Sequence, residues 1–312
     1  MRILLLLALS LFPAVAGAWP DHPITIINPY ATGSSTDATA RALAESFSAT
    51  LGQPVVVTSR EGGSGVVGLR ALVASPADGH TLAYSPLVPL AVQPHLVRNT
   101  GLGPDAVAPV CNVTENILGI MVRADSSWRD LPALVGEAKH RPLAFGSPGP
   151  NSAPYLGVHR IQMAAGGEYT HLPFRGDNAS LVEVLAGRLD FAAIVVASGV
   201  PMARAGQMRL LASLSTRRHP EFPDVPTAKE QGIEAVQLSY AGLFAPRGTP
   251  GAVLDRLEEA CRTAIQSEVF ARAAAQWGLV PDFLGRHDFA ARLAAEYAAH
   301  GRVLRELGVA PQ

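Results

Sequence analysis

The sequence predicts an α/β protein built from two lobes. Its 312 residues suffice for two domains of ordinary size. Apolar, strand-like runs alternate with segments of helical periodicity in two separate series, and this alternation is typical of parallel sheets covered by helices. One extended apolar stretch, at 117–122, stands between the two series, and another, at 242–246, follows the second. We expect these two stretches to connect the lobes.

The N-terminal segment 1–18 has the three parts of a secretory signal peptide. Arg2 supplies a positive charge, Ile3–Val15 is an apolar run, and Ala16–Ala18 forms a small-x-small cleavage site before Trp19. The apolar run is shorter than the roughly 20 residues that cross a bilayer. Residue 19 is not a cysteine, so a lipid anchor is not indicated. We therefore expect a soluble mature chain that begins at Trp19 and resides in the periplasm.

The first strand–helix series follows the signal segment. Its predicted strands are Ile24–Ile27, Val55–Thr58 and Thr81–Tyr84. Apolar residues between Ala40 and Leu51 recur at helical spacing, and Gly52 is expected to end that helix. Ser34 and Asp37 have the spacing of a capping box, which places the start of the helix beside them.

The second series begins at Leu143. Its predicted strands are Leu143–Phe145, Tyr169–Leu172, Phe191–Val196 and Leu210–Ser213. Its predicted helices are about 130–139, 151–165, 178–187 and 198–205. Three further helices are expected after the second connecting stretch, and they should return to the first lobe. Lobe 1 is then expected to comprise 19–120 and 243–312, and lobe 2 to comprise 121–242.

A glycine- and serine-rich turn between a strand and a helix is expected in each lobe. The turns are Ala31–Thr36 in lobe 1 and Gly146–Ser152 in lobe 2. Such turns expose backbone N–H groups at the positive end of a helix dipole, and ligands of open α/β sheets lie beyond the carboxyl ends of strands. Either turn alone is explained by helix capping. One turn in each lobe, facing a shared cleft, favours anion binding, with the N–H groups of 33–36 as donors.

Composition and motif spacing exclude several other classes of function. Lys and Arg total 25 against 26 Asp and Glu, so no basic excess attracts nucleic acid or an anionic membrane. The histidines show no metal-ligand spacing, and neither a nucleophile elbow nor a Walker motif occurs. Gly63–Gly68 matches a dinucleotide fingerprint in form, but the acidic residue about 20 positions further on is missing. No cofactor or metal is expected.

The sequence leaves open whether its two cysteines, Cys111 and Cys261, form a disulfide. In an oxidising compartment they could form a disulfide. They lie far apart in the chain, however, and two isolated buried thiols are the favoured interpretation. Two cysteines are also too few for a multi-cysteine zinc or iron–sulfur site.

Several polar residues also have two interpretations each. The residues that could be combined into a catalytic triad are Ser35 or Ser147, His171 and Asp190. Their spacing carries no information, so surface or strand-end positions are favoured for them. Arg175 is either a solvated loop charge or a carboxylate ligand aimed into the cleft. Asp177 or Asn178 is expected to cap the helix that follows.

Motifs along the whole mature chain follow the order seen in one known family. The matching segments are Trp19–Ile24, Ser35–Asp37, Leu51–Val57, Pro76–Leu82, Phe145–Gly149, His171–Gly176, Pro223–Thr227 and Phe244–Pro250. They resemble the Bug or TctC-like periplasmic solute-binding proteins of tripartite tricarboxylate transporters. So many matches in one order are more specific than any single motif above.

The resemblance implies a fold, a function and a set of ligand residues. The fold would be a periplasmic-binding-protein fold of type II, with two crossover strands, that closes over a small organic carboxylate. The first-lobe loop would hold one carboxylate through backbone groups and ordered waters, and the second lobe would set selectivity. The residues carried over by motif are Tyr30, Thr32, Gly33, Ser34, Ser35, Thr36, Asp37, Ser85, Ser147, Gly149, Asn151, Phe174, Arg175 and Asp190. The protein would be a non-catalytic monomer that delivers its ligand to membrane permease subunits.

The first-lobe loop departs from the family pattern. The family usually has Pro-Gly-Gly where this chain has Thr32-Gly33-Ser34, so a hydroxyl replaces one flexible glycine while the N–H group is kept. Two alternatives to a transport receptor stay open on the sequence. One is a sensor subunit that presents a ligand to a membrane receptor, and the other is a secreted hydrolase on the same scaffold.

Overall fold

The computed structural model describes residues 19–149, 152–174, 176–306 and 311. The predicted signal peptide and the predicted ligand residues Asn151 and Arg175 lie outside the described residues. In chain order the strands are β1 Ile24–Asn28, β2 Val55–Ser59, β3 Thr81–Pro86, β4 Val107–Glu115, β5 Leu118–Arg123, β6 Leu143–Ser147, β7 Tyr169–Pro173, β8 Phe191–Val195, β9 Met208–Ser213, β10 Tyr240–Pro246 and β11 Val280–Gly285. The helices are α1 Ser35–Leu51, α2 Val66–Val73, α3 Val88–Ala91, α4 Leu131–Ala138, α5 Ala153–Ala165, α6 Asp177–Leu185, α7 Val196–Arg204, α8 Gly251–Ile265, α9 Glu268–Trp277 and α10 Arg286–Glu306.

The strands form two sheets with the same internal arrangement. The first sheet has the order β2-β1-β3-β10-β4-β11, and the second has the order β7-β6-β8-β5-β9. In each sheet a group of parallel strands is followed by an antiparallel strand from elsewhere in the chain. That strand is β10 in the first sheet and β5 in the second. The predicted α/β fold with two lobes is confirmed.

The chain passes between the two sheets at two links. β4 leads to β5 through Asn116 and Ile117, and β9 leads back to β10 through 214–239. The expected lobe boundaries at 120/121 and 242/243 fall inside β5 and β10, each of which pairs within a single sheet. We therefore propose lobe boundaries at the two links.

Helices from both ends of the chain cover the first sheet. Phe47 of α1, Leu257 of α8 and Phe270 of α9 are fully buried in the core on one face. On the other face, Leu69 of α2 and Phe289 of α10 are fully buried in a second core. Burial of each such side chain contributes about 1.5–3 kcal/mol. Among the described helices, none combines the length and the apolar character that a bilayer crossing requires.

Helix α1 begins and ends at the residues that the sequence predicted. The hydroxyl oxygen of Ser34, which precedes the helix, accepts a hydrogen bond from the N–H of Asp37 at 3.2 Å. Gly52, which follows it, adopts the left-handed conformation with φ of 72° and donates its N–H to the carbonyl of Ser48. These are the usual ways of satisfying the open ends of a helix.

The two cysteines are paired, so the favoured interpretation of isolated thiols is wrong. Cys111 on β4 and Cys261 on α8 form a disulfide with a Cα–Cα distance of 6.6 Å, across a sequence separation of 150 residues. Both side chains are fully buried in the core between the first sheet and α8. Packing of α8 on β4 brings the cysteines together, and no local pattern in the sequence encodes that contact.

Two strands of the first sheet, β4 and β11, were not predicted. β4 contains Pro109, which pairs with Phe244 where the register with β10 shifts. β11 contains Pro281 and lies at the edge of the sheet. Proline lacks an N–H group and is tolerated in strands at such irregularities and edges. Both strands therefore depend on tertiary pairing and lack a strong local signal.

Candidate ligand-binding site

The carboxyl ends of strands from both sheets meet at a cleft. Its residues line three neighbouring cavities with volumes of about 560, 250 and 120 Å³. From the first sheet, Tyr30 follows β1 and Pro86 ends β3. From the second sheet, Pro148 follows β6 and Val195 ends β8. This is the place where open α/β sheets bind their ligands.

The turn before α1 lines the cleft with Gly33, Ser34, Ser35 and Thr36. The N–H group of Gly33 donates to the carboxylate of Asp37 at 3.0 Å, and the N–H group of Ser34 donates to a carbonyl of the same turn at 3.2 Å. Ser35 and Thr36 are the first two residues of α1, and N–H groups at these positions have no carbonyl one turn earlier in the helix. The expected donor set 33–36 therefore narrows to Ser35 and Thr36.

Asp37 lies behind the turn and braces it. Its buried carboxylate accepts hydrogen bonds from Arg41 Nε at 2.9 Å, from the Gly33 N–H at 3.0 Å and from Asn28 Nδ2 at 3.4 Å. Burial alone would raise the pKa of Asp37, but the hydrogen bonds from Arg41 and Gly33 outweigh it and hold this pKa below its usual range. Asp37 does not line the three cavities. It fixes the loop conformation.

The other predicted first-lobe residues divide between the cleft and its surroundings. Tyr30 lines two of the cavities, and its hydroxyl donates to the carbonyl of Ser64 at 3.3 Å. Burial raises the pKa of Tyr30. Thr32 is exposed and donates to a serine hydroxyl of β2 at 3.1 Å, outside the cavities. Ser85 is fully buried, and the next residue reaches the cleft in its place.

Three predicted second-lobe residues surround the turn after β6 without lining the cavities. Ser147 is fully buried, and its Oγ lies 2.8 Å from Nε2 of His171. Gly149 has a φ of 127°, which favours glycine. The N–H of Phe174 donates to the carbonyl of Ser147 at 2.9 Å, and its ring packs in the second lobe's core. These residues shape the turn that presents Pro148 to the cleft.

Asp190 lies at the wrong end of its strand for contact with a ligand in the cleft. It precedes β8, whose other end, Val195, lines the cleft. Five strand residues at about 3.3 Å each separate the two ends by roughly 16 Å. The carboxylate of Asp190 accepts hydrogen bonds from Arg141 at 2.8 Å and from the Ala144 N–H at 2.7 Å. Its contacts are structural.

Asp177 lines the cleft, although the sequence predicted that Asp177 or Asn178 would cap the helix that follows. α6 begins at Asp177 itself, and Gly176 before it has no side chain to cap the helix, so the expected cap is wrong. The Asp177 Oδ2 atom instead accepts hydrogen bonds from Ser198 Oγ at 3.0 Å and from the Val195 N–H at 3.3 Å. Oδ1 is buried and has no hydrogen-bond partner among the described residues. Burial raises the pKa of Asp177 to about 7, although the bonds from Ser198 and Val195 oppose the shift.

Further polar residues of the cleft come from the links, from α7 and from α9, among other elements. They include Asn116 and Ser239 at the two links, Ser198 at the start of α7, and Gln276 and Trp277 at the end of α9. Most of these residues follow a strand or lie at the end of a helix. For Asn116 and Ser198, the position after a strand could have indicated from the sequence that they line the cleft. Nothing in the local sequence indicates that α9 reaches the cleft. Among the described lining residues, Asp177 carries the only carboxylate, and none carries a cationic side chain.

Comparison with known proteins assigns the family. A family model described as "Tripartite tricarboxylate transporter family receptor" matches residues 39–309. The chain belongs to this family. Protein BugT of Bordetella pertussis is 32% identical over 301 residues, which cover 95% of this chain and 92% of BugT.

Two solved structures show the same architecture over nearly the whole chain. One is an R. palustris protein with adipate, which has a TM-score of 0.83 and 26% identity and covers 94% of this chain and 100% of that one. The other is MatC from Rhodopseudomonas palustris with bound malate, which has a TM-score of 0.77 and 25% identity and covers 92% of this chain and 100% of that one. The receptor therefore has the two-lobe fold that the resemblance implied.

Proposed function

We propose that this receptor binds a small organic carboxylate in the cleft between its two sheets. It is exported by the signal peptide 1–18 and acts in the periplasm as a monomer. There it delivers the ligand to the membrane permease subunits of a tripartite tricarboxylate-type transporter. It has no catalytic activity and uses no cofactor.

The start of α1 carries this proposal. The N–H groups of Ser35 and Thr36 sit at the positive end of a helix of 17 residues, beside cavities that these two residues line. Free N–H groups and the helix dipole together favour a carboxylate at this position. The structures solved with adipate and malate support the same class of ligand.

Fewer residues are proposed to contact the ligand than the sequence predicted. In the first lobe they are Tyr30, Gly33, Ser34, Ser35 and Thr36, which line the cleft. Thr32, Asp37, Ser85, Ser147, Gly149 and Phe174 are proposed to shape the loops around the site. Asp190 is left out, and the roles of Asn151 and Arg175 stay predictions.

The hydrolase alternative has one observation in its favour, the contact between Ser147 and His171. Their Oγ and Nε2 atoms are 2.8 Å apart, as in a nucleophile–base pair. Ser147 is fully buried, however, and does not line the three cavities, so a substrate in the cleft does not reach its hydroxyl. Asp190 binds Arg141, which leaves the supposed triad without its acid. We therefore propose binding without turnover.

A ligand screen tests the proposal. Mono-, di- and tricarboxylates, aromatic acids and acidic amino acids are added to the mature protein, and its melting temperature is measured. A ligand at about 100 times its Kd should stabilise the protein by about 2.7 kcal/mol. The matching amides serve as controls, since they keep the shape and lack the charge. If no carboxylate raises the melting temperature, the proposal is wrong. Chemical alteration of a bound ligand by the protein would contradict the absence of catalysis.

Uptake measurements separate transport from sensing. Deletion of the receptor gene and deletion of the permease genes should each abolish uptake of the carboxylate found in the screen. Normal uptake without the receptor, together with a lost transcriptional response to the ligand, would favour the sensor alternative.

A further inference from the structure

Two histidines and an aspartate form a cluster at the edge of the first sheet that lies opposite the cleft. Asp21 and His22 precede β1, and His80 immediately precedes β3. β1 and β3 are neighbouring parallel strands, with Thr25 opposite Thr81 in their register. Parallel neighbours begin at the same edge of a sheet. The sheet therefore brings His22 beside His80, and spacing along the chain does not reveal that contact.

The polar atoms of this cluster are close enough to share one ion. Asp21, His22 and His80 each offer one nitrogen or oxygen atom, and these atoms lie within 4.8 Å of one another. Oδ1 of Asp21 is 2.7 Å from Nδ1 of His22 and 3.2 Å from Nε2 of His80. The two imidazole rings stack with their centroids 3.5 Å apart. Ligand atoms around a tetrahedral zinc ion are about 3.3–3.6 Å apart, so small side-chain rotations bring all three to bonding distance.

His80 is the fixed member of the cluster. It is 8% exposed, and both of its ring nitrogens are buried without a hydrogen bond from the part of the chain that the structure describes. Nε2 faces Asp21, and Nδ1 lies 3.4 Å from Oδ1 of Asp78. The same Asp78 oxygen accepts the backbone N–H of His80 at 2.9 Å. A carboxylate beside the second nitrogen is the arrangement that orients metal-bound histidines.

We propose that Asp21, His22 and His80 bind a divalent transition-metal ion, and that zinc matches them best. Two imidazole nitrogens and one carboxylate oxygen are ligands that zinc accepts in proteins, with water in the fourth position. Asp78 is a positioning residue that holds the His80 ring with Nε2 towards the metal. The positive charge of the ion balances the two carboxylates that face the buried imidazole.

The surroundings of the cluster allow an ion to enter from solvent. Asp21 and His22 are exposed, so their side chains are free to rotate. The ring of Trp19 packs edge-on against His80 at a centroid distance of 5.9 Å and helps to keep the imidazole in place. Magnesium and calcium match the cluster poorly, because both prefer oxygen ligands and two of the three side chains offer nitrogen.

The ion would be structural and remote from the cleft. His80 lies at the start of β3, whereas Pro86, at the other end of this strand, reaches the cleft. Six strand residues at about 3.3 Å each separate the two sites by roughly 20 Å. The metal would fasten the segment before β1 to the turn before β3. Neither site depends on the other.

Isothermal titration calorimetry of the protein with zinc chloride tests the proposed metal site. The protein carries no histidine tag, and the buffer contains no chelator. We expect one zinc ion to bind per chain. Zinc should also raise the melting temperature, and EDTA should reverse the rise, because an ion that binds only the folded protein stabilises it. Magnesium chloride and calcium chloride should give neither signal.

Four variants locate the bound ion. His22→Ala and Asp21→Asn each remove one ligand at an exposed position, where the fold tolerates the change, and each should weaken zinc binding at least about tenfold. Asp78→Asn keeps an oxygen for the His80 N–H and removes the charge, so zinc should bind about 10- to 100-fold more weakly. His140→Ala is the matched control, because His140 is exposed in the second lobe and lies outside the cluster. It should bind zinc as the wild type does.

Several outcomes would overturn the proposed metal site. One is a wild-type protein that does not bind zinc, and another is unchanged affinity in both His22→Ala and Asp21→Asn. An equal loss in His140→Ala would indicate general binding to surface histidines, and an equal signal from magnesium or calcium would indicate general binding to carboxylates. Each of these results leaves the proposed carboxylate receptor untouched. A failed carboxylate screen, in turn, leaves the metal site untouched.

Discussion

Asp37 and Asp177 both lie at the start of a helix that follows a strand, but their pKa values are shifted in opposite directions. Asp37 is surrounded by donors, one of them the guanidinium of Arg41, and its pKa is held below the usual range. Asp177 is half-buried, and the described groups that donate to its carboxylate are neutral and bind one oxygen only. Burial raises its pKa to about 7. Their sequence contexts are alike, so the difference comes from which residues the fold brings to each carboxylate. The first therefore braces a loop, whereas the second lines the cleft.

Two substitutions at Ser35 test whether its backbone N–H group binds the ligand. Proline is tolerated at the first position of a helix, and Ser34 before it is extended, with φ −76° and ψ 165°, as a residue before proline prefers. Ser35→Pro therefore removes one N–H donor without disturbing α1, while Ser35→Ala removes only the hydroxyl. Calorimetry with the ligand found in the screen should show Ser35→Pro binding about 10- to 100-fold more weakly than Ser35→Ala. Equal affinity of the two variants would mean that this N–H does not hold the ligand.

A buried histidine gives the protein a predicted sensitivity to acid. His219 is 1% exposed, its Nδ1 accepts the N–H of Glu221 at 3.2 Å, and burial lowers its pKa to about 4. In the unfolded chain a histidine has a pKa of about 6.5, so the stability that His219 contributes is complete above that pH and is lost as the pH falls towards 4. We expect a loss on the order of 2–3 kcal/mol between pH 7 and pH 4.5.

His219→Gln isolates this contribution in urea unfolding at the two pH values. The glutamine does not titrate, so the variant should lose about 2–3 kcal/mol less than the wild type over the same range. Asp177 contributes to the pH dependence of stability with the opposite sign, because its raised pKa adds stability as the pH falls through 7. This contribution is the same in the wild type and the variant, so it cancels in the comparison. If the free energy of unfolding of the two proteins changed equally with pH, His219 would not titrate as expected.

At the scale of elements, the first sheet is held together by contacts from distant parts of the chain. β10 lies between β3 and β4, and Gly242 on β10 leaves no room for a side chain, since an added Cβ would lie 2.3 Å from the Phe289 ring of α10. The disulfide joins β4 to α8 on the other face. The sheet thus fixes the positions of the C-terminal helices, including α9, whose end reaches the cleft.

The disulfide between β4 and α8 should contribute strongly to stability. A link between residues 150 positions apart restricts the unfolded chain over a long loop, and its loss is expected to cost about 2–5 kcal/mol. The double variant Cys111→Ala/Cys261→Ala should show this loss in urea unfolding. Reductant should lower the stability of the wild type and leave the double variant unchanged. A wild-type protein that is equally stable with and without reductant would contradict this role.

At the scale of the whole molecule, two lobes meet at a cleft and are joined by the two links, Asn116–Ile117 and 214–239. One link between the sheets is Asn116–Ile117, and the other ends at Ser239, whose carbonyl accepts the N–H of Asn116 at 2.7 Å. The two links therefore lie side by side. Adjacent links of this kind act as a hinge about which lobes rotate when a ligand binds between them.

Ligand binding should consequently close the molecule. Small-angle scattering of the mature protein should give a smaller radius of gyration with the ligand from the screen than without it. The amide of the same ligand, at the same concentration, serves as the control and should leave the scattering unchanged. An identical profile with and without a saturating ligand would indicate a rigid or already closed cleft.

The sequence by itself determined the α/β class, the ends of α1 and the family, because these depend on local signals. Capping at Ser34 and Gly52 involves residues within one helical turn, and the family motifs are short and ordered. The tertiary structure alone decided the pairing of Cys111 with Cys261, the strands β4 and β11, and the difference between Asp177 in the cleft and Asp190 outside it. Each of these depends on which end of a strand, or which distant element, a residue meets. Such contacts form between positions far apart in the chain, and spacing along the sequence does not encode them.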